Sequence, residues 1–249
     1  MCILMVVHKR VQGHPIVLAA NRDEYLDRPT RGPGLLGPAP AIWGGLDERA
    51  GGTWLGVNAY GVVVGLTNRR TREVQENDPA RRSRGLVCLE ALQCRTAAEA
   101  VAYLTSEPSD RYNSFNLLIV DSCEAYWAAY EGHPETHRLE PGVHILANGN
   151  VNDFETVRIR RARHLLQRPE ATELQTLLPL LERVCRDHES GVQDRETICM
   201  HRPQEHYGTV SSTILALPPD LRGSVYRYAD GHPCMTPYKE FTLPFFPTP

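Results

Sequence analysis

Short apolar runs come in pairs along this chain, each pair joined by a turn, and this pairing limits the possible folds more than any other feature. Ile3 to Val7 and Val17 to Ala20 flank Lys9-Arg10-Val11-Gln12-Gly13-His14-Pro15, whose Gly and Pro mark a turn. Thr53 to Asn58 and Gly61 to Asn68 join through Ala59-Tyr60, and Ser114 to Val120 and Ala125 to Tyr130 through Asp121-Ser122. Val143 to Ala147, Val210 to Leu217, Ser224 to Tyr228 and Glu240 to Leu243 are further strand-like runs. Leu86 to Gln93, Ala97 to Leu104, Thr156 to Gln167 and Glu173 to Arg186 show helical spacing instead. In the last of these, Leu174, Leu177, Leu178, Leu181 and Val184 share one face, and the charges of both long helices read as a solvated face. Strand pairs broken by helix blocks, without regular strand-helix-strand alternation, exclude a parallel doubly wound sheet and predict an α+β fold with mainly antiparallel sheets.

The segments between these runs are read from their turn formers and charges. Thr30 to Pro40 is rich in Gly and Pro and reads as a surface loop, and Gly191 to His206 as a polar loop. Gly51-Gly52 lacks the Lys and Ser/Thr of a phosphate loop, so close backbone packing before Trp54 is the better reading. Arg69 to Arg84 carries Arg69, Arg70, Arg72, Arg81, Arg82 and Arg84 and reads as an exposed loop, either a solvated surface or a holder of planar anions.

At 249 residues with no Ser/Gly-rich or charged linker, the chain is expected to form a single domain over residues 1–249. A net charge of -3 with both signs interspersed argues for no nucleic acid partner and no anionic membrane surface. Gly51 to Asn68 is uncharged, but its Gly, Asn, Thr and Tyr content marks a hairpin and no transmembrane segment. The seven cysteines have irregular spacings with no CxxC and no paired Cys/His ligand spacing, so no metal site and no covalent haem attachment are expected. Free thiols suit a reducing compartment, and no signal peptide is evident, so a cytoplasmic location is expected.

Val17 to Ala20 stops abruptly at Asn21-Arg22-Asp23-Glu24. If the first two runs pair as a hairpin, Cys2 lies beside Asn21 to Asp23, and a thiol, a guanidinium and a carboxylate share one sheet end. Taken alone, the cluster also fits a solvated turn beside a frayed terminus. Yet removal of Met1 would leave the Cys2 thiol beside its own α-amine, which titrates near ~7.7 to 8 and can serve as its general base. A depressed thiol pKa, and labelling of Cys2 ahead of the other cysteines, is then expected.

Met1-Cys2-Ile3, then Leu18-Ala19-Ala20-Asn21-Arg22-Asp23-Glu24-Tyr25 with Arg28-Pro29, resembles the opening of the NRDE family, to which the transport and Golgi organisation proteins belong. Gly51-Gly52-Thr53-Trp54-Leu55-Gly56-Val57, Leu66-Thr67-Asn68, Phe115-Asn116-Leu117, Ala147-Asn148 and Tyr207-Gly208-Thr209 with Ser211-Ser212-Thr213 continue the match in order along nearly the whole chain.

The family in turn resembles the N-terminal nucleophile hydrolases, which implies a four-layer αββα sandwich of two mainly antiparallel sheets. The resemblance to the choloylglycine hydrolase and penicillin V acylase branch implies Cys2 as nucleophile, with Asp23 orienting its amine and Arg22 supporting the thiolate. It implies Asn68 and Asn148 as oxyanion donors, and Asn21, Glu24, Trp54 and Asn116 as substrate-binding residues. Two departures stand out: Arg22 and Asp23 are adjacent, whereas that branch separates them by two residues, and Val210 stands where the NRDE family usually carries Arg. The expected activity is hydrolysis or acyl transfer on an amide or thioester, with no cofactor and a small-molecule acyl substrate as partner. The alternative implied by family relatives is a carrier of haem or acyl-CoA, for which Cys199-Met200-His201 supplies local ligands.

Overall fold

The first hairpin runs further than its apolar core. In the computed structural model, which describes residues 2–70, 77–167, 172–189 and 196–245, β1 spans Cys2–Val11 and β2 His14–Tyr25. They turn at Gln12 and Gly13, where φ of +75° suits the glycine. Their register, Leu4 against Ala20 and Val6 against Leu18, is the antiparallel pairing expected. The strand β12 (Tyr207–Leu217) pairs with the other edge of β2, so the polar end of β2 is enclosed between two neighbours.

Contacts divide the chain into two compact units, Met1–Arg28 with Pro141–Thr242, and Pro29–Glu140 with Leu243–Pro249. The first holds a seven-stranded antiparallel sheet in the order β10-β1-β2-β12-β13-β14, with β11 beside β12. Here β10 is Gly142–Leu146, β11 His201–Arg202, β13 Val225–Asp230 and β14 Lys239–Glu240. Alternation along β1 and β2 sends Ile3, Met5, Val17 and Ala19 to one face. There they pack with Ile159 and Ala162 of α3 (Val157–Leu166) and Leu177, Leu181 and Val184 of α4 (Leu174–Cys185). The leucine stripe read from the sequence is therefore the face that α4 buries.

The second unit carries a seven-stranded antiparallel sheet in sequential order, β3 to β9. Its strands are β3 (Thr30–Pro38), β4 (Ala41–Asp47), β5 (Leu55–Asn58), β6 (Val63–Asn68), β7 (Phe115–Val120), β8 (Ala125–Tyr130) and β9 (Pro134–Leu139). Helices α1 (Arg84–Ala91) and α2 (Ala97–Thr105) cover it through Val87, Ala91, Ala100 and Leu104. The α+β class and antiparallel sheets are as expected.

Two readings of this unit need correction. Thr30 to Pro40 is not a loop but mostly β3, an edge strand whose glycines and prolines sit where the ladder slips, between Arg31 and Gly34 and between Leu35 and Gly37. Arg70 is exposed as read, but the other described arginines of Arg69 to Arg84 are not a row of solvated or anion-seeking guanidinia. Arg81 donates to the Tyr112 carbonyl at 2.9 Å, Arg82 to Glu90 at 2.6 Å and Arg84 to the Ser114 carbonyl at 3.1 Å. Arg69 pairs with Glu131 and donates to Asn116 at 3.2 Å, whereas Arg72 lies outside the described residues. The strand β9, half exposed and edge-lying, carries too little apolar alternation to be read in advance.

Candidate active site

Register decides which of the clustered polar side chains share a face. Cys2 pairs with Arg22 across β1 and β2, Arg22 with Ser211 across β2 and β12, and Ser211 with Asp230 across β12 and β13. Directly opposite residues point to the same side, so Cys2, Arg22, Ser211 and Asp230 form one row across four strands. This face is opposite the one packed on α3 and α4. Asn148 lies two residues past Leu146, the partner of Leu4, so it follows β10 out of the ladder at the end where Cys2 sits.

Asn21 and Asp23 alternate to the helix face, which resolves the effect of the adjacent Arg and Asp: the guanidinium shares the Cys2 face, and the carboxylate does not. Asp23 is 2% exposed; its Oδ2 accepts from Arg158 Nη2 at 3.0 Å and its Oδ1 from the Thr209 hydroxyl at 2.6 Å. The Tyr207 hydroxyl donates to the Asp23 carbonyl at 2.8 Å. Asp23 nonetheless stays close enough for its charge to act on the Cys2 thiol.

A bulge in β12 makes both arrangements compatible. Thr209 pairs with Asp23 and Ser211 with Arg22, leaving Val210 as the extra residue between them. In an unbroken strand Thr209 and Ser211 would share a face. The bulge re-phases them, so Thr209 meets the Asp23 carboxylate on the helix side and Ser211 stands beside Arg22 on the other.

Arg158 is the functional neighbour that sequence reasoning missed. It was assigned with the other α3 charges to a solvated face, yet it is 3% exposed and faces the sheet. Its place beside Ile159 on the apolar side of the α3 pattern is the only signal, and that signal is weak. The isolated buried carboxylate of Asp23 would be costly, and this pairing is what lets it sit there.

Before Met1 is removed, the Cys2 thiol shows no depressed pKa. Burial pushes its pKa up rather than down, against the opposing pull of the Arg22 charge and the Asp23 N–H. In that form its surroundings do not hold a resting thiolate.

The other named residues are placed as follows. Asn21 is fully buried and its Nδ2 donates to the carbonyls of Cys185 and Ile198, both at 2.9 Å, tying β2 to the end of α4. Glu24 is half-buried, accepts from the Tyr25 N–H at 2.9 Å and lies 3.9 Å from Arg28. In the second unit, Asn68 is half-buried at the end of β6, opposite Phe115. Asn116 is fully buried, accepting from Trp127 Nε1 at 3.2 Å and donating to the Thr67 hydroxyl at 3.2 Å. Trp54 is buried with its ring so close to Gly45 that a β-carbon there would stand 2.2 Å from it.

This architecture has solved counterparts. It is similar to the Caenorhabditis elegans ortholog of the N-acylethanolamine-hydrolysing acid amidase, with TM-score 0.61 and 13% identity over 97% of this chain and 100% of that one. It is similar to penicillin V acylase from Agrobacterium tumefaciens, with TM-score 0.57 and 14% identity over 92% of this chain and 83% of that one. These likenesses establish the N-terminal nucleophile hydrolase fold. By sequence, the chain is 28% identical to a transport and Golgi organization protein 2 homolog of Bos taurus over 238 residues, 84% of each chain. It is 33% identical to the Homo sapiens homolog over 146 residues, 55% of this chain and 51% of that one. The family model for Transport and Golgi organisation 2 matches residues 1–226. With the NRDE motifs, the hydrolase fold and that match over nearly its whole length, the chain belongs to the Transport and Golgi organisation 2 family.

Proposed function

We propose that this chain is an amide or thioester hydrolase, or acyltransferase, working through Cys2 as an N-terminal nucleophile. The observation that carries the reading is the row that sets Cys2 opposite Arg22 at the sheet end where the buried Asp23 also sits. Cleavage before Cys2 frees its α-amine. The neutral amine takes the Sγ proton as sulfur attacks the acyl carbonyl. Collapse of the tetrahedral adduct breaks the C–N or C–S bond, and the α-ammonium returns the proton to the departing amine or thiol. Water, deprotonated by the same amine, then releases the acid and restores the thiol, or an acceptor nucleophile takes the acyl group.

Arg22 supports the developing thiolate. Asp23, fixed by Arg158 and Thr209, holds the main chain under the thiol and biases the amine electrostatically. Asn148 is the proposed oxyanion donor at the Cys2 end of the sheet, and Asn68 carries the same proposed role through its motif. Glu24 and Trp54 are proposed to contact substrate, whereas Asn21 and Asn116, with amides engaged inside the fold, are proposed to shape the site. The solved relatives named as an amidase and an acylase support an acyl amide as the substrate class.

Cys2→Ser tests the reading. Turnover of N-acyl amides and acyl thioesters should fall by at least about 100-fold with little change in melting temperature, since the side chain is at the sheet end. Unaltered turnover would sink the enzymatic reading. A saturable Soret shift with haem, lost in His201→Ala, together with no turnover of any acyl substrate, would replace it with the carrier.

A further inference from the structure

Away from the Cys2 face, the first unit gathers soft ligands that no local spacing reveals. Cys199 Sγ lies 3.5 Å from His201 Nε2 and 3.7 Å from Cys234 Sγ, and His201 Nε2 lies 3.2 Å from Cys234 Sγ. Donor atoms of His188, His201 and Cys234 all fall within 4.8 Å of one another, as do those of Cys199, His201 and His232. The residues come from three separated segments: the residues just after α4, the entry to β11, and the turn after β13.

We propose that Cys199, His201, Cys234 and His188 bind a tetrahedral divalent ion of the zinc class. Zinc bonds of ~2.3 Å to sulfur and ~2.0 to 2.1 Å to nitrogen imply tetrahedral edges of ~3.7 Å between two sulfurs and ~3.5 Å between sulfur and nitrogen. The three measured separations lie on or close to those edges, although the donors are far apart in sequence. A disulfide between Cys199 and Cys234 would need its sulfurs ~2.05 Å apart, and they are not at bonding distance.

The fourth ligand follows from ring geometry. His188 and His201 meet edge to face at 87° with centroids 5.6 Å apart, and a donor atom of His188 falls within 4.8 Å of those of His201 and Cys234. His232 instead stacks on His201 at 4.1 Å and 30°, where in-plane lone pairs run side by side. His232 is thus the packing partner that orients His201, and exposed His188 closes the site from the solvent side.

The ligands sit on a frame that leads to the nucleophile. The Cys199 N–H donates to the Asp187 carbonyl at 2.8 Å, and the Met200 N–H to the Thr209 hydroxyl at 2.8 Å. That hydroxyl in turn donates to Asp23. The bound ion would therefore tie His188, residues 199–201 and the 232–234 turn to β12, holding Thr209 against Asp23. This is a structural metal, with all four positions taken by the chain.

The test is Co²⁺ titration of the full, reduced, metal-stripped chain, with zinc content of the untreated protein read by mass spectrometry. One equivalent of Co²⁺ should give the visible bands of a tetrahedral thiolate site and a near-ultraviolet sulfur-to-cobalt charge-transfer band, both displaced by Zn²⁺. His188→Ala, an exposed and fold-neutral change, should weaken binding at least about tenfold, and Cys234→Ser should abolish the charge-transfer increment from its thiolate. His232→Ala should keep the four-ligand spectrum. Absence of stoichiometric Co²⁺ bands, a native mass lower by two hydrogens with Cys199 and Cys234 joined, or unchanged binding in both His188→Ala and Cys234→Ser would each overturn the proposal.

Discussion

Arg158 shows how one buried charge can be fixed by another. Substituting Met removes the guanidinium that faces the 2% exposed Asp23 carboxylate, and breaking a buried pair in this way costs about 3 to 5 kcal/mol. Urea unfolding should register that loss for Arg158→Met, and adding Asp23→Asn should recover part of it, since the orphaned charge is then gone. The Cys2 thiol makes a second prediction at this scale. With burial pushing its pKa up before Met1 is removed, Cys2 of the Met1-bearing chain should not outrun the exposed Cys123 toward iodoacetamide at pH 7. Activity has a defined sign with pH: the α-amine must be neutral to take the thiol proton, so turnover should climb as pH rises through ~8. That Cys2, Arg22 and Asp23 lie at one sheet end was legible, because a hairpin permits only one end for them. The face each side chain takes, and Arg158's role, depended on strand phase and helix docking that composition does not carry.

Among the elements, β12 and the β5–β6 hairpin show where pattern reading succeeds and where it stops. Asn58 sits in the turn read through Ala59-Tyr60. Its Nδ2 donates to the carbonyls of Leu92 and Cys94 at 2.8 and 2.7 Å, and its Oδ1 accepts the N–H groups of Tyr60 and Val62, both at 3.0 Å. Removing all four in Asn58→Ala should cost about 3 kcal/mol or more, measured as a lowered denaturation midpoint. The close packing read into Gly51-Gly52 is real at Gly52, where a β-carbon would meet the Gly85 carbonyl carbon at 2.2 Å. The Val210 bulge, by contrast, gives no warning in the sequence, because a bulge is a register event between strands whose partners, Asp23 and Thr209, lie 186 residues apart in the chain. Under the proposed mechanism, Val210→Arg should speed deacylation by about tenfold, the scale of one charged hydrogen bond in the transition state. A single-turnover experiment separating acylation from deacylation reads this directly.

For the whole molecule, hairpin pairing and the absence of strand-helix alternation were enough to reach α+β with antiparallel sheets, whereas the edge strands β3 and β9 were hidden by Gly, Pro and polar residues. The cluster of Cys199, His201 and Cys234 was hidden for a different reason: its ligands converge only after β11 and β13 are laid beside β12. No helix among the described residues is long and apolar enough to cross a membrane. The molecule's central proposed feature remains the thiol at the open end of the first sheet. Its most direct test is intact-mass analysis of the purified chain after brief exposure to an N-acyl amide or acyl thioester. The account predicts a chain beginning at Cys2 that gains one acyl group, mapped to Cys2 and absent from Cys2→Ala. A chain that begins at Cys2 and acquires no acyl group from any such substrate would contradict it.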